Sequence, residues 1–505
     1  FGSRLAPNAS GPVGPAQAGP QRMARRASAA LVWLLCSALR CSGLYDPEHR
    51  IESARVYGNI HAFGYYFIDL VVGSPRQRVS VIIDTGSSIA AFPCASCQHC
   101  GHHVDPAFDF AGSSTARWVG CGDGCLGGCH EGHCSYVQGY SEGSSVSGLW
   151  FEDEVQLGDS IQHNPPIRSR LGCHYIETNL FYNQKANGIM GIGPQRSTLL
   201  RDLFADRRHV QSSIFALCLA EWGGRLVVGG HNDSYHTGPM QYMPMKTGSG
   251  TYGVPLTALS LEGRVLSRDL GNAMVDSGTT YTYMASSPYH ALRGAIEEHC
   301  RAGGCGPARQ LYDGVCWYLP GGAADLERFP RVEMTFVDVT VRWVPAGYMF
   351  RKDAGSTWCY SFQDDGPGAD TTLGASWMMH NEVVFDMQNG RLGIAPAACP
   401  EYRQRPRHSA AAAERWDGGE ETQAEPAWGL QVSVEGLGAM RTLGWWELSP
   451  LMLLMLLPVG CLSQRCLSGR SASHSRLVRE TEIAGVVLGT SEEAPEAAES
   501  CSPWI

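Results

Sequence analysis

The chain has 505 residues, of which 44% are hydrophobic and 17% are charged, and its formal net charge at pH 7 is −10. This composition excludes a disordered tail protein and a multi-span membrane protein. The negative charge disfavours binding to nucleic acid, which attracts clusters of Lys and Arg. Nineteen cysteines are hard to keep inert in the reducing cytosol, so the sequence indicates an oxidising compartment. The length is sufficient for two lobes with separate cores.

The N-terminal residues have the pattern of a targeting segment. Residues 1–22 are rich in Gly, Pro and Ala, and we interpret them as upstream read-through ahead of a start at Met23. An Arg pair follows Met23 and precedes the apolar run Ala29 to Leu39. This order is typical of a secretory signal peptide, which we assign to residues 23–43. The alternative is a buried helix, although nothing around the run supplies an amphipathic partner.

The predicted folded body, residues 44–400, has mainly the patterns of β-strands. Runs of β-branched or aromatic residues, separated by Gly and Pro, predict strands over Tyr65 to Val72, Val79 to Ile83, Arg225 to Val228 and Glu382 to Phe385. Clear helical patterns occur in Leu199 to Arg208 and His290 to Cys300. These elements predict a mostly β, two-lobed body. We divide it into an N-terminal lobe (44–215) and a C-terminal lobe (216–400).

Three segments follow the predicted body. Residues 401–440 are rich in Arg, Glu, Ala and Gly and predict a linker. The apolar run Leu448 to Leu462 spans about 25 Å as a helix. Extending it back over the preceding Trp pair predicts one transmembrane helix over 443–463. Four arginines in residues 464–505 favour a cytosolic tail, and therefore a single-pass type I topology with the body in the lumen. The alternative for the apolar run is a buried core helix.

Two segments repeat one pattern, in which an apolar strand runs into Asp-(Ser/Thr)-Gly-(Ser/Thr). The first is Val81 to Ser87 and the second is Ala273 to Thr279. Their aspartates, Asp84 and Asp276, lie 192 positions apart, which is about the length of one lobe. One such turn is weak evidence, but two copies at this spacing indicate a shared carboxylate site. The alternative is a pair of ordinary aspartate turns in a β protein.

A shared carboxylate site of this kind supports acid–base chemistry. Two carboxylates a few ångströms apart cannot both ionise, so they share one proton. One aspartate then acts as general base on a bound water, and the other acts as general acid toward a peptide carbonyl. The following residues have supporting roles: Ser87 and Thr279 hydrogen-bond the outer carboxylate oxygens, Gly86 and Gly278 allow close backbone approach, and Thr85 and Ser277 tie the two loops together.

With these motifs, the chain resembles the pepsin-like (A1) aspartic proteases over roughly Tyr65 to Cys399. Each aspartate strand is matched by a later apolar-apolar-Gly segment, Ile189 to Gly191 and Thr372 to Gly374, and the stretch from Val384 to Ala395 is also similar to the family. The resemblance implies a mostly β, bilobal aspartic protease fold with a Cys-rich, nepenthesin-type insertion over 94–134. It also implies endopeptidase activity that needs neither an organic cofactor nor a catalytic metal.

Val137 to Leu157 predicts the hairpin that covers such a site. Its strands alternate around a Gly-rich turn. In the family this hairpin, the flap, closes over the aspartates, and its tyrosine matches Tyr140. Pepsin-like enzymes often pair that tyrosine with a tryptophan, but Ala91 stands at that position, which puts the usual flap hydrogen bond in doubt. The alternative is that Tyr140 is an ordinary hairpin aromatic.

Glu142 is the strongest indication of specificity. A carboxylate two residues after Tyr140 would face the cleft and form a charge-assisted pair with a substrate Arg. The motif Tyr140 to Gly143 resembles the flap of the plasmepsin V-type proteases and their coccidian Golgi relatives, which cut export motifs with Arg and Leu before the scissile bond. Gln184 is a second candidate contact to that Arg. The alternative for Glu142 is a solvated charge on the hairpin.

The predicted body contains fourteen cysteines, eight in the first lobe and six in the second. Both counts are even, so each lobe can close its own disulfides, but the pairing cannot be derived from the sequence. The pattern resembles the Cys-rich insertion of nepenthesin-type and plasmepsin V-type enzymes. Zinc binding is an alternative for the first three, because His102 and His103 follow them. The cysteines are Cys94, Cys97, Cys100, Cys121, Cys125, Cys129, Cys134, Cys173, Cys218, Cys300, Cys305, Cys316, Cys359 and Cys399.

The sequence therefore predicts a membrane-anchored aspartic endopeptidase of the Golgi or endoplasmic reticulum that cleaves exported effector proteins at an Arg-x-Leu-type motif. We expect a monomer whose partners are protein substrates and the membrane, not nucleic acid. Asn232 begins a sequon and is a candidate glycosylation site. A less selective membrane-anchored protease (a sheddase or maturase) and an inactive binding protein on the same fold remain as alternatives, although the complete Asp motifs argue against the second.

Overall fold

The computed structural model describes residues 45–46, 50–122, 124–125, 127–158, 165–194, 198–352 and 355–405. The predicted read-through, signal peptide, transmembrane helix and cytosolic tail lie outside these ranges, as does the predicted linker beyond Arg405. Within the ranges described, no helix is both long enough and apolar enough to cross a membrane.

Most of the regular structure in the described residues is β-strand, which confirms the predicted fold class. The strands are β1 (Tyr45–Asp46), β2 (Ile51–Asn59), β3 (Tyr65–Val72), β4 (Gln77–Asp84), β5 (Ala90–Pro93), β6 (Arg117–Trp118), β7 (Cys129–His130), β8 (His133–Gly139), β9 (Ser145–Leu157), β10 (Ile167–Glu177), β11 (Gly188–Gly191), β12 (Ile214–Leu219), β13 (Gly224–Val228), β14 (Gln241–Pro244), β15 (Gly253–Leu261), β16 (Arg264–Arg268), β17 (Asn272–Val275), β18 (Thr282–Met284), β19 (Arg309–Gln310), β20 (Cys316–Tyr318), β21 (Val332–Phe336), β22 (Val339–Trp343), β23 (Met349–Arg351), β24 (Thr357–Tyr360), β25 (Phe362–Asp364), β26 (Thr372–Leu373), β27 (Asn381–Asp386) and β28 (Arg391–Pro396). The helices are α1 (Leu180–Asn183), α2 (Thr198–Ala205), α3 (Ser286–Arg301), α4 (Ala323–Leu326), α5 (Pro345–Tyr348) and α6 (Ala375–Met378), with a 3₁₀ turn at Asp233–Tyr235.

The largest sheet combines strands from both halves of the chain. It has 16 strands in the order β14-β28-β27-β12-β13-β2-β3-β4-β11-β5-β10-β9-β8-β7, with β1 and β6 paired off this path to β2 and β9. Strands β12 and β27 are antiparallel, with Ile214 opposite Asp386. The predicted lobe boundary between residues 215 and 216 therefore falls inside a strand of this sheet, and the division into two lobes at that point stays a prediction.

Two smaller sheets come from the second half of the chain. One has eight strands in the order β22-β21-β15-β17-β26-β18-β25, with β16 paired to β15, and the other has the order β19-β20-β24-β23. In the first, β17 runs parallel to β26, with Val275 opposite Leu373. In the large sheet, β4 runs parallel to β11, with Asp84 opposite Gly191. The two Asp motifs thus end strands with equivalent parallel partners.

The predicted strand at Tyr65 to Val72 is confirmed to the residue as β3. All eight of its residues are buried, which is why the sequence reads as a continuous apolar run instead of alternating. The exception is Asp69, a fully buried carboxylate in the middle of the strand. A buried charge of this kind needs a partner.

Both predicted helices are present, with different ends. Helix α2 stops at Ala205 instead of Arg208, because the Asp206 carboxylate accepts a hydrogen bond from the Arg208 amide (3.0 Å) and closes a turn there. Helix α3 begins at Ser286, four residues before the predicted start. Pro288 does not prevent this, since a proline in the first turn lacks only an amide hydrogen that would have no partner there.

The first five residues of the predicted linker, 401–405, lie against the body. The Arg405 guanidinium donates to Asp69 from Nε (2.6 Å) and to Asp105 from both terminal nitrogens (3.0 and 2.6 Å). The ring of Tyr402 packs edge-on against Tyr57, with centroids 6.3 Å apart. The folded body therefore extends to Arg405, beyond the predicted end at residue 400.

The structure pairs all fourteen candidate cysteines, four pairs in the first half of the chain and three in the second. Cys97 forms a disulfide with Cys100, and Cys94 forms one with Cys173. The three cysteines considered as zinc ligands are therefore all in disulfides. The remaining pairs are Cys121–Cys129, Cys125–Cys134, Cys218–Cys399, Cys300–Cys305 and Cys316–Cys359.

Candidate active site

The two aspartates of the repeated motif end equivalent strands. Asp84 is the last residue of β4, and Asp276 directly follows β17. Both side chains are fully buried. The strands before them are apolar, so packing of the core fixes where each carboxyl group is delivered.

Each carboxylate is held by its own turn in the same way. The amide two residues further on donates to Oδ1, at 2.8 Å from Gly86 to Asp84 and at 3.0 Å from Gly278 to Asp276. The hydroxyl three residues further on donates to Oδ2, from Ser87 on one side and from Thr279 on the other. The outer oxygens are thus satisfied as the motif predicts.

Thr85 and Ser277 join the two loops. The Ser277 amide donates to the Thr85 hydroxyl oxygen (2.9 Å), and the Thr85 amide donates to the Ser277 hydroxyl oxygen (3.1 Å). Each hydroxyl donates in turn across the interface, from Thr85 to the Val275 carbonyl (3.0 Å) and from Ser277 to the Ile83 carbonyl (2.8 Å). Four hydrogen bonds between buried groups therefore hold the two aspartate loops together.

The two carboxyl groups lie close enough for each to influence the ionisation of the other. Burial and the neighbouring charge of Asp276 raise the pKa of Asp84 well above its ordinary value. Burial also raises the pKa of Asp276, although hydrogen bonds from Thr279 and Gly278 oppose the increase. The pair therefore retains a proton at pH values where an isolated aspartate would be ionised.

A glycine backs each loop where a side chain would not fit. At Gly191 a Cβ atom would lie 2.6 Å from the backbone nitrogens of Ser88 and Ile89. At Gly374 it would lie 2.1 Å from the Tyr281 carbonyl oxygen. The apolar-apolar-Gly segments are therefore required for the close packing of β11 and β26 against the loops.

The predicted β-hairpin is confirmed. Strands β8 and β9 are antiparallel, with Gly139 opposite Ser145, and the Tyr140 amide donates to the Ser144 carbonyl (2.9 Å). Tyr140 is buried at the start of the connecting turn, and Glu142 is half-buried in its middle. Gln184 lies outside the hairpin, directly after α1.

The comparison with family models agrees with this geometry. The model for eukaryotic aspartyl proteases matches residues 65–397, which include both Asp loops, the hairpin and the closing strands. The chain belongs to this pepsin-like aspartic protease family. It is an aspartic endopeptidase, as the motifs predict.

Curated relatives of this aspartic protease include enzymes of parasites and plants. Aspartic protease 5 of Toxoplasma gondii is 34% identical over 422 residues, which cover 71% of this chain but 39% of that protein. Plasmepsin V of Plasmodium falciparum (isolate 3D7) is 24% identical over 440 residues, covering 68% of this chain and 73% of that protein. Protein ASPARTIC PROTEASE IN GUARD CELL 2 of Arabidopsis thaliana is 26% identical over 370 residues, covering 68% and 74%.

The flap tyrosine, Tyr140, packs against Phe181, a residue that the sequence analysis does not predict. The ring of Tyr140 lies 4.9 Å from that of Phe181, which is fully buried in α1. Ala91 belongs to the same apolar cluster. A Cβ atom at Gly172 would lie only 2.6 Å from the Ala91 Cβ, so a large side chain does not fit there. The only sequence feature that could have indicated Phe181 is the aromatic pair at 181–182. A helix of four residues is too short to show the periodicity that would mark a buried face.

Gln184 presents an unused acceptor. Its side chain is 7% exposed, and Nε2 donates to the Ala186 carbonyl (3.1 Å). Its Oε1 is buried and accepts no hydrogen bond from the residues that the structure describes. A buried acceptor without a donor costs about 1–3 kcal/mol, and a bound donor would recover that energy.

The candidate glycosylation residue lies on a surface turn. Asn232 precedes the 3₁₀ turn, and its Oδ1 accepts hydrogen bonds from the Ser234 amide (3.1 Å) and hydroxyl (2.7 Å). Asn232 is partly exposed. Its modification stays a prediction.

Proposed function

We propose that Asp84 and Asp276 are the catalytic pair of a secretory-pathway endopeptidase that cleaves protein substrates after an Arg-x-Leu-type motif. The observation that carries the catalytic assignment is the set of reciprocal hydrogen bonds between Thr85 and Ser277. These bonds join the two loops that carry the fully buried carboxyl groups, each of which already accepts a hydrogen bond from the hydroxyl of its own turn.

The chemistry follows from one proton shared by two carboxyls. The ionised aspartate removes a proton from a water molecule, which attacks the carbonyl carbon of the peptide. The protonated aspartate gives its proton to the carbonyl oxygen, so a tetrahedral diol forms without a free charge. The first aspartate then gives its proton to the amine nitrogen as the C–N bond breaks, and the second aspartate takes back a proton from a diol hydroxyl as the new carbonyl forms. No other acid or base is needed.

Specificity for Arg is proposed for Glu142 and Gln184. A guanidinium group is planar and carries five donors, and it pairs well with one carboxylate and a nearby carbonyl oxygen. The half-buried Glu142 on the flap supplies the charge in this proposal. The buried Oε1 of Gln184 supplies an acceptor that the described residues leave unsatisfied. The similarity to Plasmepsin V and Aspartic protease 5 is in agreement.

A secretory location is supported by the seven disulfides, which persist only in an oxidising environment. The proposed signal peptide, single transmembrane helix and luminal body, in the Golgi or endoplasmic reticulum, complete this hypothesis. Cleavage of exported effector proteins is the role that it implies.

A peptide panel tests the proposal. The full chain, produced in a secretory host, is given one Arg-x-Leu peptide and two copies in which Lys or Ala replaces Arg. We expect cleavage of the Arg peptide only, lost in Asp84→Asn. Equal cleavage of all three peptides would refute Arg selectivity and favour the less selective protease. Cleavage by Asp84→Asn at the rate of the unmodified chain would refute the catalytic assignment.

A further inference from the structure

A buried network of charged and polar groups lies behind the flap. The Glu177 carboxylate accepts a hydrogen bond from His103 Nε2 (3.0 Å) on one oxygen and from His174 Nδ1 (2.9 Å) on the other. The Gly101 amide also donates to it (3.1 Å). Glu177 and His174 are fully buried, and the His103 side chain is almost so. No step of the proposed chemistry uses these groups.

The environment of His103 requires its charged form. Nε2 faces the Glu177 carboxylate, and Nδ1 lies 3.2 Å from the main-chain carbonyl oxygen of Gln184. Both neighbours are acceptors only. A neutral imidazole has a single N–H and would leave one nitrogen lone pair against an oxygen, whereas an imidazolium donates on both sides. The geometry therefore matches a protonated His103 paired with an ionised Glu177.

The remaining charges agree with this arrangement. Burial opposes ionisation of Glu177, but hydrogen bonds from His103 and His174 outweigh it and lower the pKa of Glu177 to about 2. Burial lowers the pKa of His174, so that ring is neutral and donates from Nδ1. Glu177 is thus the ionised member of the network, and His103 faces it from the opposite side to His174.

His103 bridges the two ends of the segment that supports the flap. We call residues 178–183 the flap platform. Glu177 directly precedes this platform and Gln184 directly follows it, so the His103 ring closes a clamp across it. The contacts between platform and flap are the Ser145 amide to Thr178 Oγ1 (2.8 Å), the Thr178 amide to the Ser145 carbonyl (3.0 Å), Asn179 Nδ2 to the Gly143 carbonyl (2.7 Å), the Leu180 amide to Ser144 Oγ (3.2 Å) and the Phe181 ring to Tyr140 (4.9 Å).

We propose that protonated His103 is a positioning residue, which clamps the flap platform and so fixes the flap and Gln184 for binding of the substrate. The clamp is complete when both ring nitrogens of His103 carry a proton and is incomplete when only one does. The consequence is tighter substrate binding on the acidic side, separate from the titration of the aspartates. This inference rests on the proposed peptidase function.

Other titratable groups pack around the clamp and must be considered in a pH experiment. His99, from the same loop, directs Nδ1 at the Glu177 carbonyl (3.0 Å) and stacks on Tyr182. Tyr136, from β8, is buried near Glu177, and burial raises its pKa well above the ordinary value, so it stays neutral. The titratable groups around the clamp are therefore His174 on β10, His99 on the loop, Tyr182 in α1 and Tyr136 on β8.

The test compares KM and kcat between about pH 5 and pH 8, where histidine titrates, for the full chain and for His103→Gln, with an Arg-x-Leu peptide. The matched control is His102→Gln, which changes the exposed neighbouring histidine. We expect KM of the unmodified chain and of the control to rise with pH. For His103→Gln we expect KM to be about tenfold higher at the acidic end and flat with pH, since one hydrogen bond to a charged group is lost. We expect kcat at the acidic end to change less than about twofold, because the variant alters binding and leaves the chemical step intact.

A second variant keeps the test decisive if His103→Gln does not fold. Glu177→Gln preserves the shape of the side chain but removes the charge that holds the proton, so the rise of KM should move to lower pH. A KM profile that matches the unmodified chain in either folded variant would overturn the clamp. The proposed function fails in a different way, through absence of cleavage by the unmodified chain or through cleavage that survives Asp84→Asn.

Discussion

Thr85 and Ser277 exchange hydrogen bonds across 192 positions of the chain, each donating its amide to the hydroxyl oxygen of the other. Both residues are buried, and their hydroxyl groups also bind carbonyls of the opposite loop. Thr85 and Ser277, next to the aspartates in the chain, thus hold the two aspartate loops together. The contribution of these hydrogen bonds to stability can be measured by substituting Thr85 and Ser277, which carry no charge.

Breaking this tie should destabilise the fold and reduce turnover. We expect Thr85→Val and Ser277→Ala each to lower the free energy of unfolding by about 1–3 kcal/mol, because buried partners are left unsatisfied. The double variant should lose less than the sum of the two, since the residues bond each other. Chemical denaturation and kcat measure both effects. Thr340→Val, on an exposed strand position, is the control and should change neither. Additive losses would contradict the reciprocal bonding.

The aspartate pair should also make stability depend on pH. Burial raises the pKa of both Asp84 and Asp276 in the folded protein, so their protonated forms stabilise the fold. That contribution is complete below the pKa of the unfolded chain and is lost as the pH rises through the folded value. We therefore expect Asp276→Asn, which cannot ionise, to have a higher Tm than the unmodified chain at alkaline pH and a smaller difference near pH 4. A difference that does not vary with pH would contradict this.

Arg405 should stabilise the body although it lies beyond the match to the family. Its guanidinium compensates the buried Asp69 and Asp105, and burial still raises the pKa of Asp69 to about 6. We expect Arg405→Ala to cost about 1.5–3 kcal/mol, because it removes charge-assisted hydrogen bonds to both carboxylates and leaves Arg78 to compensate them.

The cost of Arg405→Ala should depend on pH. Asp69 is ionised above about pH 6, so the loss should be largest there and should shrink as the pH falls and Asp69 becomes protonated. Arg403→Ala is the matched control, because Arg403 pairs with the exposed Glu401 on the surface. Unfolding of both variants at pH 5 and pH 8 measures the difference. Equal losses in the two variants would show that the buried pair is not what holds residues 401–405.

Glu142 should determine the preference for Arg. We expect Glu142→Gln to raise KM for the Arg-x-Leu peptide by about tenfold or more, since a charge-assisted hydrogen bond is replaced by a neutral one. The rate for the Ala peptide should not change. Ser141→Ala, at the exposed neighbouring position in the same turn, is the control. Equal losses for the Arg and Ala peptides would indicate a general effect on the flap.

The parts of the fold that the sequence predicts are those with a local signal. Strand β3, the two Asp turns and the hairpin of β8 and β9 each show their pattern within about twenty residues, through burial, periodicity or a repeated motif. The mostly β class follows from them. The motif also predicts the roles of the hydroxyls of Ser87 and Thr279, because their spacing from the aspartates is fixed.

The features that escaped prediction depend on contacts between distant residues. His103 meets Glu177 across 74 positions, and its own segment indicated only an alternative as a zinc ligand. Arg405 lies in a charge-rich stretch that is typical of a linker, and only the fold brings it to Asp69, 336 positions away. Phe181 belongs to a helix of four residues, too short for any periodicity. The pairing of the fourteen cysteines was ambiguous for the same reason.

The most direct test of the account is the peptidase activity of Asp84→Asn and Asp276→Asn in the full chain. Asparagine keeps the shape of each side chain and still accepts from the glycine amide, while the turn hydroxyl can reverse and accept from the asparagine NH2 group, but asparagine cannot share a proton or activate water. We predict that each variant folds, with its disulfides formed, and that kcat/KM for the Arg-x-Leu peptide falls by about a thousandfold or more. A folded variant that retains the rate of the unmodified chain would contradict the central claim.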